Sequence, residues 1–427
     1  MRPLLLGLLA LALSAALAPA ALARTGPCVP GTREPVCDVW TGKVTSVADG
    51  DTLDVDLRRD GRAGPVRLRV TGIQAMEQRV YSRTAAKRRG DCHALEATRR
   101  LEALVRAARG RVRVTAQDPD SRTGSRLRRS VAVRTRAGSW RDVGRVLLAE
   151  GHALWLPNGT EYAWNPRYSR LAERASRAGI GLWDVDACGA GPSPEVGVRL
   201  TANWDADGAD GSNLNGEWVS LRNLNPSVDL PLGGWWVRDS HLRRYTFPPG
   251  ATLPAGGSVR VHVGSGASHP GAFFWGLAAP AFENATDDVR GMGDGGYLFD
   301  PQGDLRAWML YPCREGCTDP LQGALRVSAR PRAREQVRVE NAGPGPVDLA
   351  GYALESWPYG YVFEGDAVLA PGEAMVVEVR GDPSQDSRLR KHWGKSGSIL
   401  DDRGEAVSVR TLTGIVVGCH AWGSAAC

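Results

Sequence analysis

The chain has 427 residues, 42% hydrophobic and 23% charged, with a formal net charge of +6. This length points to two or three domains, and beyond the N-terminus no apolar run approaches the roughly 20 residues that cross a bilayer, which excludes a span anywhere but at the N-terminus. The charge is uneven: residues 24–187 carry 31 Lys+Arg against 19 Asp+Glu, whereas residues 188–427 carry 21 against 28. A basic half calls for a polyanionic partner, most often nucleic acid, and an acidic half argues against contact there.

In chain order, Arg2 and the run "PLLLGLLALALSAALAPAALA" end in Ala21-Leu22-Ala23. That is the pattern of a signal peptide over residues 1–23, so the expected protein is secreted and extracellular, with no transmembrane anchor after cleavage. All eight cysteines lie beyond it. An even count in a secreted chain predicts disulfides rather than zinc, and connectivity stays open. The local pairs Cys313–Cys317 and Cys419–Cys427 are preferred, because each closes a loop within one module.

Residues 38–187 read as one unit. "WTGKVTSV", "TLDVDL", "PVRLRVTGI", "RVRVTA" and "SVAVRT" alternate with period two and predict strands. Helices are predicted over 93–110, stopped by Gly110, over 141–151 and over 165–183. Strands and helices in this order and size suit a small barrel. "GAGPSPE" (189–195) reads as a linker. Beyond it the chain repeats itself: Glu217 matches Glu335, Asn223 matches Asn341, and Val228-Asp229-Leu230 matches Val347-Asp348-Leu349. Short strands and frequent turns in each copy predict two β-sandwiches. The acidic loop "NWDADGADGSNLNGE" (203–217) opens like a calcium loop, but Leu214 stands at its closing position, so a turn-rich loop is expected.

Together, "VADGDTLDV", "RVTGIQAME", "RRSVAV", "VGRVLLAEGHA" and "RYSRLAERASRAGIGLW" make residues 38–187 resemble the staphylococcal-nuclease-like domain. Residues 196–320 and 326–427 resemble lamin-tail domains through "NLNGEWVSLRN", "VDLPLGGWWVRD", "VRVEN" and "VDLAGYAL". The resemblance implies a mainly β protein: an OB-fold barrel with helices, followed by two immunoglobulin-like β-sandwiches. It also implies a calcium-dependent phosphodiesterase acting on DNA or RNA. Asp51 and Gln74 fall at the metal-ligand positions. Arg69 and Glu77 match the arginine and glutamate that open and close the family motif Arg-x-x-Gly-x-Asp-x-Pro-Glu. Arg129 is taken as the second phosphate-gripping arginine, with Arg128 as runner-up. Trp155 and Tyr162 are candidates for stacking a base.

These types suit the chemistry. A phosphodiester transition state gathers anionic charge that a divalent cation and two guanidinium groups stabilise, and a carboxylate orients the attacking water. The sequence departs from the family twice, with Gln74 for an aspartate and Met76 for a proline. An amide oxygen can ligate calcium, but it brings no charge, and affinity rises with ligand charge. Two other readings therefore stand beside the enzyme: a catalytically silent nucleic-acid-binding protein, and a cell-surface adhesion protein whose C-terminal modules bind cell wall or an extracellular polymer. His93 and His152 are read as helix-end residues rather than bases.

Overall fold

The computed structural model describes residues 23–32, 35–189 and 197–427. Most of the leader and of the linker falls outside them. The first unit contains strands β1 (Arg24–Pro27), β2 (Val36–Val47), β3 (Thr52–Arg58), β4 (Val66–Val70), β5 (Ile73–Gln74), β6 (Gln78–Val80) and β7 (Arg89–Gly90). They are followed by β8 (Arg111–Ala116), β9 (Arg122–Thr123), β10 (Arg126–Arg134), β11 (Trp140–Asp142) and β12 (Leu154–Trp155). The pairings run β2–β3–β4–β10–β8 and return to β2, so each of these five strands is paired on both sides. Only the β4–β10 pair is parallel. The period-two pattern explains the arrangement: Leu53, Val55, Leu68, Val70, Val112, Val114, Val131 and Val133 all turn inward and are buried. The unit begins earlier than residue 38, because β1 pairs with the start of β2 and a Cys28–Cys37 disulfide clips the two together.

Helix α1 (Ala94–Ala107) buries Ala97, Leu101 and Leu104 and ends before Gly110, whose φ is +73°. Helix α2 (Val143–Ala149) is capped by Asp142, whose carboxylate accepts the Arg145 N–H at 3.1 Å. Helix α3 (Asn165–Arg177) is shorter than its pattern predicts. Gly179 and Gly181 adopt positive φ there, and the chain turns into a short 3-10 helix at Gly181–Trp183. Among the described residues, no helix is long and apolar enough to cross a membrane.

Each half of the repeat forms two four-stranded sheets with the same pairing order, and in each the last pair of the first sheet is parallel. The matched residues do matched work. Asn223 donates to the Val228 and Leu253 carbonyls, and Asn341 to those of Gly345 and Leu369. Glu217 accepts from Ala281 N, and Glu335 from Ile399 N. The described cysteines are all paired. Cys313–Cys317 and Cys419–Cys427 form as expected, and Cys92–Cys188 ties the start of α1 to the exit of the first unit.

The units share their interiors. Tyr297, Phe299 and Leu305 of the first sandwich belong to the same buried cluster as the strands and helices of the first unit. Trp183 packs against Trp308 and Tyr297, with ring centroids 5.3 and 6.1 Å away. Glu173 accepts the backbone N–H groups of Arg314 and Glu315 at 3.0 Å. The 203–217 loop joins the two sandwiches instead of forming a calcium loop: Asp205 pairs with Arg410 at 3.0 Å, Asp207 with Lys395, and Trp204 Nε1 donates to Leu412 O at 2.7 Å. Truncating a fully buried tryptophan costs about 3–5 kcal/mol. Trp183→Ala is therefore expected to split a joint unfolding transition of the first unit and first sandwich into two, with the first unit melting earlier in a guanidinium titration.

Candidate functional site

The turn Asp49-Gly50-Asp51 between β2 and β3 sits directly on the loop after β5. A Cβ on Gly50 would stand 2.7 Å from the Cβ atoms of Ala75 and Ala97, so only glycine permits this approach. Gly72, at φ +76°, turns the chain from β4 into β5 against the Tyr168 ring. These two turns bring Asp51, Arg69, Gln74 and Glu77 together.

Arg69 is buried and bridges the two residues that the resemblance assigns to the metal. Its Nη1 lies 2.8 Å from Asp51 Oδ1, and its Nη2 donates to Gln74 Oε1. Asp51 Oδ1 also accepts the Thr52 hydroxyl at 3.0 Å, and Oδ2 accepts Ala75 N at 2.8 Å. The Gln74 amide points its NH2 at Ala75 O, 3.1 Å away, and at Glu77 Oε1, 2.8 Å away. Burial, opposed by Arg69 and reinforced by Asp49, pushes the Asp51 carboxyl up to about 7.

This donor set does not fit a calcium ion. Calcium takes six to eight oxygens, preferably charged ones. Here Asp51 Oδ1 and Gln74 Oε1 both face the Arg69 guanidinium, Asp51 Oδ2 is taken by Ala75 N, and the amide offers N–H groups on the Glu77 side.

Of the two adjacent arginines, it is Arg128 rather than Arg129 that stands beside Arg69. Parallel pairing of β4 with β10 sets Arg128 beside Arg69 and Arg129 beside Val70. Successive side chains alternate faces, so Arg129 turns away. Its guanidinium is buried, bonded to the carbonyls of Pro119 and Arg128 at 2.5 and 2.7 Å, and lies over the Trp40 ring. Trp155 is likewise corrected: its ring is 1% exposed in the core and cannot stack a base. Tyr162 remains half-buried in the 3-10 turn ending at the buried Trp164. His93 and His152 stack on each other at the start of α1 and just after α2, with Nε2 and Nδ1 2.9 Å apart.

Two hollows adjoin the site and share part of their walls. A cavity of about 100 Å³ is lined by Arg69, Gln74, Thr123, Arg126, Arg128 and His241. Thr123 and Arg126 also line an open cleft of about 1260 Å³ that continues past Asp49, Arg67, Tyr81, Arg83 and Arg88. Tyr81 is 56% exposed. The sequence stretch "RVYSR" held the signal for Tyr81, an aromatic between arginines. His241 could not be found from the sequence, because it arrives from the first sandwich.

That sandwich can be placed. Residues 202–312 match the family model of the lamin tail domain. A comparison with curated proteins returned no match for the chain. The lamin tail domain extends its Arg238–Leu242 segment over the small cavity, where His241 and Leu242 form part of the wall. Burial, aided by Arg243, lowers His241 to about 4, so its imidazole is neutral at physiological pH.

Behind Arg129, Glu161 is buried and accepts Gln117 N at 2.9 Å and Asp118 N at 3.1 Å. Burial pushes it from its ordinary 4.5 up to about 7. The unfolded chain thus releases this proton near pH 4.5 and the folded chain near pH 7, so its contribution to stability falls between those values and is level above them. Glu161→Gln loses one backbone hydrogen bond at every pH but removes that fall. Urea midpoints measured from pH 4 to 8 are expected to drop less steeply in the variant than in the parent.

Proposed function

We propose that this is a secreted nucleic-acid-binding protein whose first unit is an OB-fold barrel of nuclease type with a retired metal site. The observation that carries the reading is the Arg69 bridge between Asp51 and Gln74, which sets a fixed positive charge between the two groups a calcium ion would need. The circuit of five strands, the basic N-terminal half and the arginine-lined cleft beside an exposed tyrosine all support it. Guanidinium groups grip phosphates, and an aromatic face stacks bases of any sequence, which favours single strands. Four disulfides and the leader pattern support export. The two sandwiches, acidic overall, hold the barrel in position.

A second reading, phosphodiester hydrolysis at the same site, is favoured by Glu77, which sits one hydrogen bond from Gln74 and keeps its family spacing from Arg69.

A labelled single-stranded DNA incubated with the oxidised protein, with calcium and with chelator, separates the two. The binding reading expects retention without cutting, weakening as salt rises. Calcium-dependent cutting that Glu77→Ala abolishes would establish the enzyme instead. Gln74→Asp is expected to raise the melting temperature in calcium, where the parent shows no shift. Tyr81→Ala is expected to weaken single-strand binding by about 1–3 kcal/mol, the worth of one stacked base, in a fluorescence-anisotropy titration.

A further inference from the structure

The segment that the lamin tail domain lays over the barrel carries a cluster of its own. Asp239 and His241 lie on it, and Asp294 stands at the start of the neighbouring strand Asp294–Phe299. One ligand atom from each lies within 4.8 Å of the other two. Asp239 and Asp294 are both 0% exposed. Two polar atoms in this cluster are buried without a hydrogen-bond partner, Asp239 Oδ1 and His241 Nδ1. Orphaned buried acceptors of this kind are rare and need an explanation.

The internal repeat supplies a control. Arg238 pairs with Tyr297 in the first sandwich as Glu355 pairs with Ser408 in the second. Stepping along both strands, Asp239 corresponds to Ser356, His241 to Pro358, and Asp294 to Glu405. In the second copy, the Ser356 hydroxyl simply donates to the Glu405 carboxylate. The fold therefore needs one acid and one neutral donor at these positions. The first copy instead sets two buried carboxylates and an imidazole there, the imidazole lining the cavity shared with the first unit.

The charges around the cluster account for only part of it. Arg243 pairs with Asp239 through Oδ2, with Nε at 2.8 Å and Nη2 at 2.7 Å. Arg238 spends its guanidinium on the carbonyls of Asp239, Ser240 and His241. Asp294 accepts Ser240 N and Gly295 N through Oδ1 and Glu283 N, at 3.3 Å, through Oδ2. Arg128 and the Glu283 carboxylate act on His241 from a distance and with opposite sign. Asp239 Oδ1 has no hydrogen-bond partner, and His241 Nδ1 stands 3.9 Å from Asp239 Oδ2, too far for a hydrogen bond.

We propose that Asp239, His241 and Asp294 bind a divalent ion of the Mn²⁺, Co²⁺ or Zn²⁺ class. Mixed carboxylate and imidazole donors suit these ions, whereas calcium and magnesium prefer oxygen alone. Three protein ligands also leave a position open to an outside group. Bonds of about 2.0–2.2 Å set the ligand atoms of one ion closer together than they stand here. His241, with a side chain 33% exposed, is the member free to swing inward. The ion would lie beside the cavity that His241 shares with Arg69 and Arg128. The proposal does not depend on nucleic-acid binding.

The test is a Co²⁺ titration of the full-length oxidised protein after chelator treatment, followed by visible absorption and by the melting temperature. The expected result is one equivalent bound, with a ligand-field band and a rise in melting temperature. His241→Gln should bind about tenfold more weakly or worse, lose the band, and melt like the metal-free parent. His262→Gln, on the far strand of the same sandwich, should bind as the parent does. Binding below about a tenth of an equivalent, or His241→Gln binding as tightly as the parent, would overturn the proposal. Asp239→Asn gives a second reading where it folds, and His241→Gln carries the test where it does not.

Discussion

One buried guanidinium organises the candidate site. Arg69 sits on an inner strand with almost no access to water, where an unpaired charge would be very costly. It therefore holds Asp51 and Gln74 to itself, and through them the turn after β2 and the loop after β5. A carboxylate in place of Gln74 would offer two charged acceptors and leave room for a cation to share them. The amide offers one oxygen and two N–H groups, and those N–H groups turn Glu77 toward the amide. A change of one functional group thus redirects a whole hydrogen-bond network.

The second constraint is the continuity of the cores. The first unit's buried cluster includes residues of the first sandwich, and the backbone N–H groups of Arg314 and Glu315, just beyond residue 312, donate to Glu173 of α3. Interfaces built from aromatic packing and satisfied buried carboxylates do not slide freely. The segment over the small cavity is therefore held at a fixed place rather than swinging on a tether. This makes the site a property of two domains together.

Much of this was legible in the sequence where the information is local. Arg69, Gln74 and Glu77 lie within nine residues, and Gln74 hydrogen-bonds to both of the others. The repeat was legible because Asn223 and Asn341 do the same structural work, fixing the same turn in each copy. Arg128 against Arg129 was not legible: two adjacent arginines on a strand face opposite ways, and only the register with β4 tells which one joins Arg69. Trp155 misled because an aromatic in a loop-like stretch looks available, while pairing of Leu154–Trp155 with Ile73–Gln74 draws it into the core. Asp239, His241 and Asp294 converge from segments whose proximity is purely tertiary.

The Cys92–Cys188 bond has a consequence for how this protein would be damaged. It joins positions 96 residues apart and encloses all three helices and the strands from β8 to β12 in one covalent ring. Closing a ring of that size removes much of the freedom of the unfolded chain, on the order of 4–5 kcal/mol in the chain-entropy picture. It also means that a protease nicking any loop inside the ring leaves both fragments attached. In an extracellular setting rich in such enzymes, a cut chain would keep its shape and its neighbours, and would come apart only where the surroundings become reducing.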